Sequence, residues 1–174
     1  MDSLFKLYPV LKNEFNAVYT KNGLILSNLI LDQESQKYSS CSFNIDSLRA
    51  QFRTGYITPK KAGLFVTLWK RQKGSIIQPF DRSDDIIFFV ASVRKENFHG
   101  QFVFSKSILL KKGILSENNK GGKLAFRIYP PWEKDLNSQA KKTQLWQLPY
   151  FLEILNTTIL DHEHLKNLYK DSSL

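Results

Sequence analysis

Cysteine is nearly absent: Cys41 stands alone, so no disulfide can close within the chain. A reducing compartment, the cytoplasm, is the expected setting. No apolar run approaches the ~20 residues a bilayer-spanning helix needs, so no membrane partner is expected. Asp2 follows Met1, and Pro9, Lys12 and Glu14 break any early apolar stretch, so no secretory leader is expected either. The marks of common catalysts are missing too. Neither GxGxxG nor GxxxxGK followed by Ser or Thr occurs, which removes both phosphate-cradling loops. Neither GxSxG nor HExxH occurs. Among three histidines, His162 and His164 lie at i, i+2 and diverge on a helix. Asp161-His162-Glu163-His164 is therefore expected to be polar surface rather than a metal site, and no metal or cofactor is assigned.

Acidic side chains are also missing from Ser47 to Phe80, a segment that carries Arg49, Arg53, Lys60, Lys61, Lys70, Arg71 and Lys73. The whole chain is at +9, with a pI near 9.6. A field of one sign attracts polyanions, nucleic acid foremost. What is present is enough for a core: 174 residues, 42% hydrophobic and 13% aromatic, fit one domain spanning 1–174.

Helical spacing of Leu4, Leu7, Leu11, Phe15 and Val18 predicts an N-terminal amphipathic helix, with Pro9 kinking it or marking its first turn. Leu24 to Leu31 fits helix or strand, whereas Tyr38 to Ile45 and Arg49 to Ile57 alternate like strands. Thr58 to Gly63 is a basic turn feeding a strand from Leu64 to Trp69. Ile86 to Val90 is an unbroken apolar strand that must be buried on both faces. Phe98-His99-Gly100 reads as a turn into a strand from Gln101 to Phe104, and Lys111-Lys112-Gly113 as a helix stop. A short helix from Thr158 or Asp161 to about Lys170 closes the pattern. The sum is a mixed α/β (α+β) fold, with a central mixed sheet flanked by helices.

The stretch from Gly121 to Phe151 organises the rest. A strand from Leu124 to Tyr129 ends at Pro130-Pro131, which offer no N–H to a ladder. Asn137 or Ser138 then caps a helix. Leu145, Leu148 and Leu152 at i, i+3, i+7 predict its core face, and Gln139, Lys142, Thr143, Trp146 and Tyr150 line another. Cations, amides and flat rings together suit an anionic ligand that carries rings.

A nuclease of the restriction type needs an aspartate on one strand, then an acidic residue two positions before lysine on the next, to hold a divalent metal and a water. No acidic residue in this chain has lysine two positions later. The nearest substitute is Asp85 with Gln101 and Lys106, and only that alternative calls for a divalent metal.

Several stretches together resemble the MepB family of small bacterial proteins. They are Thr58-Pro59-Lys60-Lys61-x-Gly63-x-Phe65-Val66-x-x-Trp69-Lys70-Arg71 and Gly100-Gln101-Phe102-Val103-Phe104-x-Lys106. Gly122-Lys123, Arg127-x-Tyr129-Pro130-Pro131-Trp132 and Gln139-Ala140-x-Lys142-Thr143-Gln144-x-Trp146-Gln147 follow. The resemblance spans roughly residues 34 to 151 and departs from the family at Gly55-Tyr56, where Ala-Lys is expected. It implies a restriction-endonuclease-like architecture and nucleic-acid binding, without supplying a reaction.

The expected function is binding of nucleic acid through its phosphates, with little sequence selectivity. Lys60, Lys61, Lys70, Arg71, Lys106, Arg127 and Lys142 are assigned to phosphates. Trp69, Tyr129, Trp132 and Trp146 are assigned to stacking, and Gln139, Thr143 and Gln147 to bases or sugars. The alternatives are the divergent nuclease and a protein-interaction module.

Overall fold

The computed structural model describes residues 9–32, 40–71, 76–155, 158–159 and 161–170. Helix α1 (Pro9–Val18) begins at its proline and buries Phe15 and Val18. Leu4 and Leu7 lie outside the described residues. Strands β1 (Leu26–Leu31), β2 (Cys41–Ile45) and β3 (Leu48–Thr54) follow as an antiparallel meander. Gly55 then passes the chain into a second sheet, through β4 (Tyr56–Thr58) and β5 (Lys61–Thr67). The short strands β6 (Trp69–Lys70) and β7 (Gln78–Pro79) pair with each other. Next come β8 (Phe88–Lys95), β9 (Phe98–Ser105), helix α2 (Lys106–Lys111) and a hairpin of β10 (Ser116–Glu117) and β11 (Lys120–Gly121). Strand β12 (Ala125–Ile128), helix α3 (Ser138–Gln147), β13 (Phe151–Leu155), β14 (Thr158–Ile159) and helix α4 (His162–Lys170) complete the order.

Among the described residues the main sheet has seven strands in the order β1-β2-β3-β8-β9-β13-β14, and β3/β8 is its one parallel pair. The expected mixed α/β architecture, a central mixed sheet flanked by helices, is therefore what the chain adopts. Side chains alternate across a strand, so this sheet feeds two cores. On one face Ala50, Phe52, Phe88, Val90 and Val103 pack with Phe15 and Val18 of α1 and Leu165 and Leu168 of α4. On the other, Phe89, Ala91, Phe102 and Phe104 pack with Leu64 and Val66 of β5, Ile128 of β12 and Leu109 of α2. Strand β8 is buried without interruption from Phe88 to Val93, as a strand covered on both faces must be.

Cys41 lies in the first core, where burial pushes its thiol up to about 12 and leaves it protonated and inert at neutral pH. Among the described residues no helix is long and apolar enough to cross a membrane.

Two local expectations are corrected. Phe98-His99-Gly100 is the start of β9, and the reversal falls one step earlier, with Glu96 at φ 55°. Helix α3 does not carry Leu145, Leu148 and Leu152 on one inward face. Pro149 cannot continue a helix, so the chain passes through one 3-10 turn into β13. Leu145 is left 70% exposed, and Leu152 reaches the core from a strand.

Candidate functional site

The three-stranded sheet β4-β5-β12 and helix α3 build the candidate site. Strand β12 pairs antiparallel with β5, setting Arg127 opposite Phe65 and Ile128 opposite Leu64. The Arg127 guanidinium turns back on the β4–β5 turn. It donates to the carbonyls of Ala62 (3.1 Å) and Gly63 (3.1 Å) and to Thr58 Oγ1 (2.7 Å). It thereby fixes the backbone that presents Lys60 and Lys61. Gly63 holds φ +74°, and a Cβ there would lie 2.5 Å from Tyr129 Cδ1. The Tyr129 ring thus lies directly on bare backbone.

Asn137 caps α3, its Oδ1 accepting from Ala140 N at 2.8 Å. At the far end Gln147 is fully buried, with Nε2 donating to Arg127 O and Oε1 accepting from Tyr129 N, both at 2.9 Å. One amide side chain supplies the donor and acceptor that a neighbouring strand would offer, and it locks α3 to the edge of β12. Gln144 Nε2 donates to Pro130 O (2.9 Å) and Glu133 O (3.0 Å), holding the segment that follows the double proline.

These elements enclose a concavity of about 770 Å³. Lys60, Lys61, Lys112, Lys123 and Arg127 line it against a single carboxylate, Asp135. Tyr129 and Trp146 supply flat rings, and Asn137, Gln139 and Thr143 supply polar edges. Trp146 packs against Phe104 at 5.5 Å between centroids, and Lys112 Nζ stands 5.1 Å from the Trp146 centroid. That spacing is within cation–π range. A one-sign wall in a recess raises the local concentration of anions.

Of the residues assigned from sequence, Lys60, Lys61, Arg127, Tyr129, Gln139, Thr143, Trp146 and Gln147 come together here. Gln147 is nonetheless spent on the backbone and has no amide left for a base. Arg127 adds charge, but its hydrogen bonds go to the turn. Lys142 is exposed and lies outside the lining.

Lys106 is not a surface cation. It is buried, and its Nζ donates to Asp84 O at 2.7 Å. Trp132 is not an open stacking platform either, since it stacks on Phe98 at 5.3 Å and meets Phe151 edge-on at 5.5 Å. Trp69, Lys70 and Arg71 sit in a separate concavity, with Lys70 paired to Asp84 at 2.6 Å. The lining also includes Lys112, Lys123 and Asp135, which the sequence reading gives no site role, and Asn137, which it gives only that of a helix cap. In sequence Lys112 stands out only as part of a helix stop, and Lys123 only within the Gly122-Lys123 pair of the family resemblance.

The nuclease set does not assemble. Gln101 is opposite Ser92 on β8, whereas Ser105, just before Lys106, is opposite Phe88. Gln101 is buried on the α1 side, donating to Glu14 Oε2 at 3.2 Å and accepting from Tyr19 OH at 3.3 Å. Asp85 is exposed ahead of β8. His164 Nε2 bonds Phe151 O, and His162 Nδ1 bonds Asn22 Oδ1. Among the described residues no three His, Cys, Asp or Glu side chains gather to hold a metal.

A homing endonuclease from a bacterium aligns at 12% identity and a TM-score of 0.44, covering 92% of this chain and 90% of that one. No curated protein matches the sequence. The crystal structure of MepB aligns at 35% identity with a TM-score of 0.70, over 74% of this chain and 86% of that chain. The MepB-like family model matches residues 32–153, a span that contains every side chain lining the concavity. With more than half its length matched by that model, the chain belongs to the MepB-like family.

Proposed function

We propose that the protein binds nucleic acid through this concavity, contacting phosphates and unpaired ring faces with little sequence selectivity. One observation carries the reading: five cations from four separate segments converge around Tyr129 and Trp146, with one opposing carboxylate. Lysine ammonium groups attract phosphates without reading bases, and exposed rings stack on any base. Base-reading amides are scarce, because Gln144 and Gln147 are committed to backbone groups.

The test is fluorescence anisotropy of a labelled oligonucleotide across a salt series. Binding should weaken linearly in log–log form, by about 0.7 per phosphate neutralised on a single strand or about 0.9 on a duplex. Replacing Lys112 and Lys123 by alanine should make the slope shallower by about one to two, whereas Lys142→Ala should leave it nearly unchanged. A salt-independent affinity, or equal losses from both variants, would refute the assignment and favour a protein-interaction module.

A further inference from the structure

Two concavities meet at the β4–β5 turn. Lys60, Lys61 and Ala62 line the larger, lysine-lined one and also a smaller neighbour of about 310 Å³. Both lysines are exposed, so a ligand passing from one concavity to the other meets their ammonium groups. Beyond the turn the smaller concavity is bounded by Lys95 at the end of β8 and by Glu133. One carboxylate fixes that arrangement. Glu133 Oε1 accepts from Lys95 Nζ at 2.8 Å, and Oε2 accepts from Gly63 N at 3.2 Å. The β8–β9 hairpin is thereby tied to the turn, and the Glu133 charge is matched by Lys95 rather than set against a phosphate.

Phe98 stands beside this pair. It is directly opposite Lys95 across the hairpin, so both side chains leave the sheet on the same face. Phe98 also shares a face of β9 with Phe102, which packs in the core with Leu64 of β5 and Ile128 of β12. That is the side of the sheet that carries the lysine-lined concavity. Trp132 covers one face of the Phe98 ring, at 5.3 Å between centroids and 17° between planes. Phe98 is nonetheless 47% exposed, so its other face lies in solvent. An open ring face next to lysines is a platform on which any base can stack.

We propose that the ligand is a single strand, which leaves the lysine-lined concavity over the Lys60–Lys61 turn and stacks a base on Phe98. The track rests on the larger concavity's being a nucleic-acid site, and extends it to rings at both ends, Tyr129 and Trp146 at one and Phe98 at the other. A duplex suits it poorly. Paired bases keep their faces inside their own stack, and a duplex stays stiff over ~150 base pairs, whereas an unpaired strand bends over a turn and offers its bases freely.

The length of the track is read by competition against a labelled oligothymidylate, using unlabelled oligothymidylates from a dinucleotide to about 16 nucleotides. Phe98→Leu keeps an apolar cover on Trp132 but removes the ring. Parent and variant should bind the shortest strands alike and part by about fivefold or more on the longest. Phe98→Trp should restore the parent's length dependence, which a merely structural cover would not require. A parent-to-variant ratio that stays constant with length, at one or at any other value, overturns the track and leaves the larger concavity's function standing. Absence of salt-sensitive binding by the parent at every length overturns that function, and the track with it. A duplex of adenine and thymine strands should bind more weakly than the long single strand and be indifferent to Phe98→Leu; an equal loss on the duplex overturns the assignment to single strands. Where Phe98→Leu does not fold, ultraviolet cross-linking of the parent to a long strand carrying iodouracil takes its place. Label on Phe98 supports the track, and label confined to Tyr129 and Trp146 overturns it.

Discussion

Tyr129 faces the concavity because of what Gly63 lacks. A side chain at position 63 would meet the tyrosine ring at 2.5 Å and Ile128 O at 2.7 Å, on a backbone already at φ +74°. The left-handed conformation alone costs an L-residue about 1–2 kcal/mol. Gly63→Ala should therefore lower stability by at least that much and push the ring off its seat. Its effect on oligonucleotide affinity should match that of Tyr129→Ala, and the double variant should bind no more weakly than either single one, since both remove the same contact. Additive losses in the anisotropy titration would mean the ring is not placed by Gly63. Tyr129 and Trp146 could be picked out from sequence because a strand ending in two prolines and a capped helix are local signals. Lys106, Arg127 and Gln147 could not be sorted in the same way. A long polar side chain that serves buried carbonyls has the same spelling as one in solvent, and only the register of β9 and β12 tells them apart.

Helix α3 shows how an element can be started correctly and faced wrongly. Its cap at Asn137 and its stop before Pro149 follow from capping chemistry and the missing proline N–H. Its inward face did not follow from leucine spacing, because that spacing ran across the stop; Ala140 and Gln147 are the buried positions instead. Ser116 to Lys120 likewise reads in sequence only as a polar loop, whereas it forms most of the β10–β11 hairpin. Asn118 and Asn119 hold φ 54° and 59° between the paired residues Glu117 and Lys120, the geometry of a two-residue hairpin turn.

That hairpin is held by Asp81, whose carboxylate accepts from Asn119 N (2.9 Å), Ser83 N (3.1 Å), Ser116 Oγ (2.7 Å) and Ser83 Oγ (2.8 Å). These donors, the backbone N–H groups of Asn119 and Ser83 first, hold the Asp81 carboxyl well below the ordinary range. A folded value below the unfolded value of ~3.9 means stabilisation that is complete above about pH 5 and lost as pH falls through the folded value. In thermal melts Asp81→Asn should thus be less stable than the parent by a constant margin from pH 5 to 8, with the two curves converging in acid. A margin that widened in acid would contradict the sign of this linkage.

Across the whole molecule, the main sheet separates two tasks. The side of β5, β12, α2 and α3 carries the lysine-lined concavity, while α1 and α4 close the other side and lie outside residues 32–153 matched by the family model. The unbroken apolar run from Ile86 to Val90 foretold two covered faces but not what is buried on each. Glu14 of α1 contacts Gln101, 87 positions away, a distance over which sequence spacing carries no information. The Glu14 carboxylate is fully buried, with His99 Nε2 at 2.8 Å, Gln101 Nε2 at 3.2 Å, Arg94 Nε at 3.5 Å and the Ser92 hydroxyl bonded to it. Breaking a buried charged network by removing one partner costs about 3–5 kcal/mol, and each kcal/mol moves the midpoint of a domain this size by about 2–4 °C. Glu14→Ala should accordingly melt well below the parent. At temperatures where it remains folded, its oligonucleotide affinity and salt slope should match the parent's, because none of the lost bonds reaches the concavity. Weakened binding by folded Glu14→Ala would show that the ligand, or the strain of losing the network, crosses the sheet.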